Sequence, residues 1–388
     1  MLTPLVNLRG TLKLNFKFFN KDLKLSLLKL NINMKYLSFF SGIGGFEVAI
    51  EKIFTDYGSE CIGYSEIKSS ALKVYKDNFP EHINMGDITK ITNNQIKKIV
   101  NNSGGCDLIV GGFPCTNLTK ISNLCGKNQG LKGEQSKLFY ELVRIISIIQ
   151  KIPSCKNVKF IIENNASMKE TDKKIITSFL EKKFKNIKMT EIDNSIFGVQ
   201  IRKRLFWTNF NIEEPIEDLD FLQTWDDVLE PIEEVQYLKL SQKRLDYFNK
   251  KVEKYNQTKN NIMYYIEKKG NNFCYAEKKS KFISKLQKYP IHSDMGNEKN
   301  IIYPKSYPTG KSRPILSHGN IIIDRRPIQR NKNIFIVREF SPIELERLFG
   351  FEDNYTSIVP KNNRFNLLGN SVSVFVIEYV LSFLQVNK

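Results

Sequence analysis

A glycine-rich turn between an apolar run and a helical pattern constrains the fold of this chain more than any other feature. The apolar run is Tyr36–Phe40, the turn contains Gly42, Gly44 and Gly45, and the apolar positions that follow have the spacing of one helix face. Strand, tight turn and helix in this order form the first unit of an α/β fold. The glycines also let a ligand approach the backbone closely.

The same alternation of strands and helices continues downstream. The pattern predicts further elements between the turn and residue 193, namely strands Cys61–Ser65, Leu108–Val110, Val158–Ile162 and Met189–Ile192, and helices Ser69–Asn78 and Lys137–Gln150. Strands that alternate with helices predict a mainly parallel sheet with helices on both faces. The fold class is therefore α/β.

Composition and length exclude several classes of protein. The chain has 388 residues, of which 41% are hydrophobic, with 27 Phe and 16 Tyr. This composition excludes a disordered polymer, and the length suits two domains or one large α/β domain with an inserted module. No run of about 18 consecutive apolar residues is present, so we expect neither a membrane-spanning helix nor a membrane partner.

The charge balance points to a polyanionic partner. A formal net charge of +18 arises from 59 Lys and Arg against 41 Asp and Glu. Nucleic acid is the simplest such partner, although a solvated lysine-rich surface explains the charge equally well. The six cysteines form no CxxC pair and lie far from the three histidines in the sequence, which argues against a metal site and a disulfide scaffold. This usage favours a reducing compartment and at most one working thiol.

Two segments differ from the α/β part, which we assign to residues 34–209. Residues 1–33 are expected to form a weakly ordered N-terminal extension, either a tail or sequence upstream of a true start at Met34. Residues 210–335 contain short apolar pieces and Lys/Asn clusters, and predict a separate, less regular module. Within them, Lys243–Lys288 interleaves basic and aromatic residues, as expected of a nucleic-acid surface or of a small domain's core.

Helical pattern resumes in residues 336–388. Ser341 is expected to be an N-cap, with Pro342 at the first helical position and Glu344 completing a capping box. The apolar stretch Gly369–Phe383 predicts a last helix that packs back on the sheet.

Two acidic residues suggest what the glycine turn binds. Glu47 stands where the dinucleotide fingerprint requires its last glycine, so a pyrophosphate site is not indicated. Glu66 closes the second strand, where nucleotide-binding folds use an acid for ribose hydroxyls. Asp87 lies where a third strand is expected to end, and a carboxylate there could accept from an adenine amino group. Together they describe an adenosine cofactor without phosphates, such as S-adenosylmethionine. Either acid taken alone is better explained as a helix N-terminal charge or a solvated loop residue.

A cysteine follows the strand at Leu108–Val110 through a rigid Gly-Gly-Phe-Pro turn. Cys115 is thereby held at the carboxyl end of a strand, where a catalytic and a structural thiol are about equally expected. Glu163 follows the next strand and lies at the same edge. Arg202 and Arg204 stand two residues apart, and therefore on one face if the segment is extended.

These motifs, in this order, resemble those of the DNA (cytosine-5) methyltransferase family. The resemblance spans residues 35 to 383 apart from the irregular module, and it rests on six blocks: Phe40-Ser41-Gly42-Ile43-Gly44-Gly45-Phe46; Gly112-Phe113-Pro114-Cys115; Glu163-Asn164; Gln200-x-Arg202-x-Arg204; Arg338-Glu339-x-Ser341-Pro342-x-Glu344-x-x-Arg347-Leu348-x-Gly350-Phe351; and Gly369-Asn370-Ser371-Val372.

The resemblance implies a role for each site residue. Cys115 would be the nucleophile that adds to carbon 6 of cytosine, and Glu163 would hydrogen-bond the base's Watson–Crick edge. Arg204 would hold the base's carbonyl oxygen, and Arg202 the site framework or a phosphate. The residues that match the family's contacts to S-adenosylmethionine are Phe40, Gly42, Ile43, Gly44, Glu66, Ile67, Asp87, Ile88, Pro114, Leu138 and Asn370.

The resemblance also implies an architecture and a partner. The fold would be a Rossmann-like S-adenosylmethionine-dependent methyltransferase sheet with a smaller, irregular target-recognition domain at 210–335. The enzyme would act as a monomer on duplex DNA, inside the cell wherever the DNA is, and would flip the target base out of the stack.

Two alternatives stay open at this point. Thr116 and Asn165 stand where the family most often has Gln and Val, which leaves room for a catalytically idle DNA-binding regulator with the same fold. A transfer RNA cytosine-5 methyltransferase is the other alternative, although nothing near Cys115 resembles that branch's local motif.

Overall fold

The computed structural model describes residues 33–114, 138–215, 223–235, 263–269, 272–277, 291–294, 321–324 and 334–384. The extension expected at residues 1–33 lies outside this part except for its last residue, as do Cys115, Thr116 and most of Lys243–Lys288. No helix within the described ranges is both long enough and apolar enough to cross a bilayer.

Six strands form the first sheet. Their bounds are β1 Met34–Phe39, β2 Ser59–Ser65, β3 Leu108–Gly112, β4 Lys159–Asn165, β5 Lys188–Asp193 and β6 Lys203–Thr208. Their spatial order is β2-β1-β3-β4-β6-β5. The pairs β1–β2, β1–β3 and β3–β4 are parallel, and β6 runs antiparallel to both β4 and β5. The prediction of a mainly parallel sheet is confirmed, with β6 as its reversed strand.

Helices cover both faces of this sheet, as predicted. Their bounds are α1 Gly45–Ile53, α2 Ser69–Asn78, α3 Asn93–Asn102, α4 Leu138–Ile149, α5 Glu170–Lys183, α6 Trp225–Val228, α7 Ile232–Val235, α8 Pro342–Phe349, α9 Lys361–Gly369 and α10 Val374–Leu381. Apolar residues of α1, α2 and α8–α10 form the core on one face, and those of α3–α5 form the core on the other.

Strand β3, in the middle of the sheet, is apolar at consecutive positions because both of its faces are buried. Its neighbouring residues Ile109 and Val110 point into opposite cores, because successive side chains of a strand alternate between the two faces. The sequence does not predict β6, because its apolar part is the short run Leu205–Trp207 behind three polar residues.

Five further strands form a second sheet within residues 263–339. They are β7 Met263–Lys269, β8 Asn272–Glu277, β9 Ile291–Asp294, β10 Ile321–Asp324 and β11 Ile334–Glu339. The order is β7-β8-β11-β10-β9, and every pairing is antiparallel. The predicted boundary at residue 335 lies inside β11, and the domain boundaries remain predictions.

A buried ion pair lies where β11 leads into α8. Ser341 caps α8 with the predicted capping box, and Pro342 begins the helix as expected. Arg338 holds Glu344 with two bonds of 2.7 Å, and both side chains are fully buried. Trp225 stacks on Phe340 in the same core, at a ring distance of 6.4 Å. The end of the second sheet is thereby packed against the first.

The predicted last helix begins later than expected. Residues 370–373 form a turn between α9 and α10, and α10 packs against α1 with Ile377 and Val380 in the core. The prediction of a C-terminal helix on the sheet is confirmed, but the polar residues Asn370, Ser371 and Ser373 keep the preceding turn out of the helix.

Candidate active site

The glycine turn after β1 has an unusual backbone that is tied to β2. Phe40 has a φ of 55°, and Gly42 and Gly44 have φ values of 59° and 90°. Residues other than glycine rarely adopt a positive φ, so the backbone of Phe40 is strained, as is often found at ligand sites. The N–H of Gly42 donates to Oε2 of Glu66 at 2.9 Å. The turn is therefore held against the carboxyl end of β2.

Gly44 packs closely against two aromatic residues. A Cβ at this position would lie 2.5 Å from Cε2 of Phe79 and 3.0 Å from the hydroxyl oxygen of Tyr355. The Tyr355 hydroxyl donates to the carbonyl of Ile43 at 2.6 Å. The segment that follows α8 thus clamps the turn, and Gly44 is required by this close packing.

Glu66 organises the end of β2 through backbone bonds. Besides Gly42, the N–H groups of Ile67 and Lys68 donate to its Oε1, each at 2.8 Å. An ionised carboxylate has about four acceptor positions, so about one remains for a ligand hydroxyl. The side chain is fixed before any ligand binds.

Asp87 is a second oriented carboxylate at this edge, but it follows an isolated bridge at Asn84 and not the strand that the sequence predicts. Its Oδ1 accepts from the N–H and the hydroxyl of Thr89, at 2.9 and 2.8 Å, and caps the short 3-10 helix Ile88–Lys90. These hydrogen bonds, the backbone one first, lower the pKa of Asp87. Among the described residues no hydrogen bond ends on Oδ2, so an ionised acceptor remains for a donor group of a ligand.

A cavity of about 550 Å³ brings these residues together at the carboxyl edge of β1–β3. Of the eleven predicted cofactor residues, the cavity is lined by ten, all except Gly44, which lies behind the turn. The volume lies within the about 300–1,000 Å³ typical of small-molecule sites. Which of these residues touch the cofactor stays a prediction. The ten are Phe40, Gly42, Ile43, Glu66, Ile67, Asp87, Ile88, Pro114, Leu138 and Asn370.

Further lining residues are missing from the sequence prediction. Most of them adjoin predicted residues in the chain, so extending each motif by its neighbours would have found them. Ala71 is an exception, since the first turn of α2 carries no motif. The additional lining residues are Ser41, Gly45, Phe46, Ser65, Lys68, Ala71, Thr89, Gly112, Phe113, Leu367, Ser371 and Val372.

The loop that leads from β3 to Cys115 is anchored to β4. The buried side chain of Asn164 donates from Nδ2 to the carbonyl of Phe113 at 2.9 Å. Pro114 lines the cavity and is the last described residue before Cys115, which itself lies outside the described residues. Asn165, which departs from the family pattern, accepts from the N–H of Ser167 at 2.8 Å and stabilises the turn after β4.

Glu163 lies between Gly112 and Arg204, inside β4 and two residues before its end, and not after the strand as the sequence predicts. Its Oε1 is 3.0 Å from Nε of Arg204, and a Cβ on Gly112 would lie 2.7 Å from its Oε2. Burial raises the pKa of Glu163, against the lowering effect of Arg204 and, more weakly, Arg202. Within the described part of the chain, Oε2 has no hydrogen-bond partner. One oxygen is therefore fixed and the other remains available beside the cavity wall.

Arg202 lies in the interior of the protein. Its Nη2 donates to the carbonyls of Gly369 and Ser371, at 3.1 and 2.5 Å, and its guanidinium lies 4.7 Å from the ring centre of Phe349. Its backbone N–H donates to Asp193. Arg202 and Arg204 thus lie on one segment but have different partners, because Arg202 holds the turn that contains Asn370.

The sheet and its cavity define the class of the protein. A mainly parallel sheet with one reversed strand, helices on both faces and a ligand cavity at the carboxyl edge of the strands is the Rossmann-like fold of S-adenosylmethionine-dependent methyltransferases. The structure of a methyltransferase from Entamoeba histolytica, EhMeth, has a TM-score of 0.52 with this fold and is 21% identical, over 91% of this chain and 98% of that chain.

The sequence comparison then gives the family. The model of the C-5 cytosine-specific DNA methylase family matches residues 34–385, and the chain belongs to this family. The Type II methyltransferase M.NlaIV of Neisseria lactamica is 27% identical over 89% of this chain and 97% of its own length. M.HhaI of Haemophilus parahaemolyticus is 25% identical over 89% of this chain and 93% of its own length. The protein is a DNA (cytosine-5) methyltransferase with S-adenosylmethionine as its methyl donor.

The cavity fits this cofactor in its chemistry as well as its size. Two oriented carboxylates, Glu66 and Asp87, suit ribose hydroxyls and an adenine amino group. Lys68 is the one cation among the lining residues, so the described part of the cavity has no cluster of positive groups for a phosphate chain.

Proposed function

We propose that the protein methylates carbon 5 of a cytosine flipped out of duplex DNA, through a covalent adduct with Cys115. Carbon 5 of cytosine is a poor nucleophile in the intact ring. Addition of the Cys115 thiolate to carbon 6 would make carbon 5 enamine-like, so that it accepts the methyl group that S-adenosylmethionine supplies. Loss of the proton from carbon 5 then expels the thiolate and restores the ring and the free enzyme.

Glu163 is the residue whose described geometry supports this chemistry best. Addition of a thiolate places negative charge on the ring, and a protonated carboxyl at ring nitrogen 3 would neutralise it. Burial raises the pKa of Glu163, which favours the protonated form. Because Arg204 fixes Oε1 at 3.0 Å, the other oxygen is oriented for the base. This fixed carboxyl beside the cofactor cavity is the observation that carries the proposal.

The two arginines are proposed to act differently. Arg204 is half-buried next to Glu163 and would donate to the base's carbonyl oxygen while holding the carboxyl. Arg202 is buried against Gly369 and Ser371, and would position the cofactor-side turn rather than touch the base. The alternative contact of Arg202 with a phosphate is disfavoured by this burial.

The cofactor would be held by the residues of the cavity. Glu66 would accept from a ribose hydroxyl, Asp87 from the adenine amino group, and the exposed side chain of Ile67 would cover the adenine. Phe40, Gly42, Ile43 and Pro114 would contact the remainder from the two strand ends. Gly44 would act through the shape of the turn.

Duplex DNA is the proposed substrate, and the basic excess of the chain suits it. The target base must leave the stack to reach a buried carboxyl, so base flipping is part of the proposal. The residues that read the flanking sequence are expected within 210–335, and phosphate contacts would supply much of the affinity. We propose that a monomer acts, in the compartment that holds the DNA.

The test combines turnover with trapping. Purified protein is given labelled S-adenosylmethionine with mixed-sequence duplex DNA or transfer RNA, and then with duplex DNA that contains 5-fluorocytosine, which blocks release of the adduct. We expect label on duplex DNA, a trapped covalent complex, and loss of both with Cys115→Ala. Cofactor binding without any label or adduct would indicate the idle regulator, and label on transfer RNA alone would indicate the other alternative.

A matched pair of variants tests the carboxyl. Glu163→Gln keeps the shape and is expected to lower turnover by about 10²-fold or more, because the amide cannot deliver a proton. Glu191→Gln, on β5 at an exposed pair with Lys203 of β6, is expected to leave turnover unchanged. Equal turnover of both variants would contradict the role of Glu163.

A further inference from the structure

The side chain of Asn84 joins the two loops that carry Glu66 and Asp87. Its Oδ1 accepts from the N–H of Gly86 at 2.9 Å and from the N–H of Glu66 at 3.4 Å, and its Nδ2 donates to the carbonyl of Glu66 at 3.2 Å. One amide therefore bonds both backbone groups of Glu66, as a neighbouring strand would.

These bonds continue a short backbone pairing. The segment before Gly86 lies beside the end of β2: Tyr64 donates to the carbonyl of Ile83 at 3.0 Å, and Met85 donates to the carbonyl of Tyr64 at 2.7 Å. Asn84 forms a parallel bridge with Tyr64 in this pairing. The pairing ends at Tyr64, and the Asn84 side chain extends it to Glu66.

A second bond closes the connection from the other side. The hydroxyl of Ser65 donates to the carbonyl of Gly86 at 2.6 Å. Gly86 has a φ of 78°, and a Cβ there would meet no atom within 4 Å, so glycine is needed for the backbone angle and not for space. The residue before Asp87 is thus held on both its N–H and its carbonyl.

We propose that Asn84 is a positioning residue that sets the spacing between the two carboxylates of the adenosine site. Glu66 and Asp87 line the cavity, whereas Asn84 does not, so it would act through them. The inference rests on the proposed cofactor contacts of these two acids. A fixed spacing means that the ribose and adenine groups are recognised together, without ordering of either loop on binding.

The first experiment separates cofactor binding from catalysis. Asn84→Ala removes all three side-chain bonds, and we expect the dissociation constant for S-adenosylmethionine to rise roughly tenfold, by calorimetry on the full-length protein. At saturating cofactor, kcat and the KM for DNA are expected to stay within about twofold, because the base site is unchanged. A parallel fall in kcat with unchanged cofactor affinity would overturn the proposal.

Asn209 provides a matched control. Its side chain makes the same kind of pair, accepting from the N–H of Phe160 at 3.0 Å and donating to the carbonyl of Val158 at 2.9 Å, at the opposite end of β4. Asn209→Ala is expected to reduce stability as much as Asn84→Ala does, but to leave cofactor affinity unchanged. Equal losses of affinity in both variants would show general damage and refute a positioning role.

A double-mutant cycle tests whether Asn84 acts through Glu66. In a Glu66→Ala background, the loss caused by Asn84→Ala is expected to shrink at least threefold, whereas full additivity would overturn the proposal. If Glu66→Ala itself leaves affinity unchanged, the proposed cofactor contacts are wrong and the inference fails with them. If Glu66→Ala weakens binding and Asn84→Ala does not, only the positioning role is wrong.

Discussion

The guanidinium of Arg204 holds one oxygen of the Glu163 carboxyl at 3.0 Å and leaves the other unpaired within the described residues. Two opposing effects meet in this contact. Burial raises the pKa of Glu163, and the positive charge of Arg204 lowers it, with burial the larger. The Glu163 carboxyl can therefore hold a proton, and Arg204 still fixes its orientation.

Arg204→Ala is expected to change the pH profile as well as the rate. Removal of the positive charge takes away an effect that lowers the pKa of Glu163, so the pKa rises further. If catalysis requires protonated Glu163, the alkaline limb of the profile of kcat against pH moves to higher pH. The value of kcat also falls, by about 10²-fold, because the contact of Arg204 with the base is lost. Lys203→Ala, at an exposed pair with Glu191, should leave the limb in place. A limb displaced to lower pH would contradict this assignment.

Glu47 is expected to make stability fall as the pH rises. Burial raises the pKa of this carboxyl from 4.5 to about 7, although Tyr75 donates to it at 2.9 Å. The folded state therefore binds a proton more tightly than the unfolded chain between these two pH values. This stabilisation is complete below about pH 4.5 and is lost as the pH rises through about 7, which corresponds to about 3 kcal/mol.

Urea unfolding of Glu47→Gln at pH 5 and pH 8 measures this contribution. The amide keeps an acceptor for Tyr75 but cannot ionise, so the free energy of unfolding should depend less on pH than in the parent protein. Glu81→Gln, at an exposed carboxylate, is the control and should keep the parent's dependence. An unchanged dependence in Glu47→Gln would disprove the prediction. Glu378, whose pKa burial also raises to about 7, is expected to contribute to the dependence that remains.

Arg338→Met should destabilise the protein strongly. It leaves Glu344 fully buried without its charge partner, which typically costs about 3–5 kcal/mol. Asp353→Asn breaks the more exposed pair with Arg347 and should cost about 1 kcal/mol or less, although that pair is as short, at 2.6 Å. Chemical denaturation of both variants measures the loss in free energy of unfolding. Similar losses in the two variants would contradict the prediction.

Two glycines of the turn should respond differently to alanine. Gly44→Ala forces a Cβ to within 2.5 Å of the Phe79 ring at a positive φ, and should cost about 2–4 kcal/mol. Gly42→Ala meets only a backbone oxygen at 4.0 Å, so the backbone angle alone should cost about 1–2 kcal/mol. Thermal and chemical unfolding can rank the two. The opposite order would mean that the Phe79 ring moves away easily.

The sequence predicts where the cavity lies because several of its lining residues follow strands. Phe40, Glu66 and Pro114 lie at strand ends that are apolar enough to recognise, and a parallel sheet brings such ends to one edge. The capping box at Ser341 is predicted for a similar reason, since it depends on residues three positions apart.

Long-range contacts are what the sequence does not predict. Arg202 and Arg204 are two residues apart, yet one donates to Gly369 and the other to Glu163. Gly44 belongs to the same motif as its neighbours, but it packs against Phe79 instead of the cavity. The alternation of side chains along a strand does not predict which residue each of them contacts. Asn84 belongs to no recognisable motif. The spacing of the motifs therefore predicts the site's position better than its internal bonding.

The clamp between Tyr355 and Ile43 joins residues that are 312 positions apart. At about 5–20 residues per second, a ribosome would make the glycine turn roughly 15–60 s before the hydroxyl that secures it. During that interval the turn and the wall near Asn370 cannot form a closed cavity. Newly made chains are thus expected to acquire cofactor only when synthesis is nearly complete, so that S-adenosylmethionine stabilises finished molecules and not the fragments that precede them.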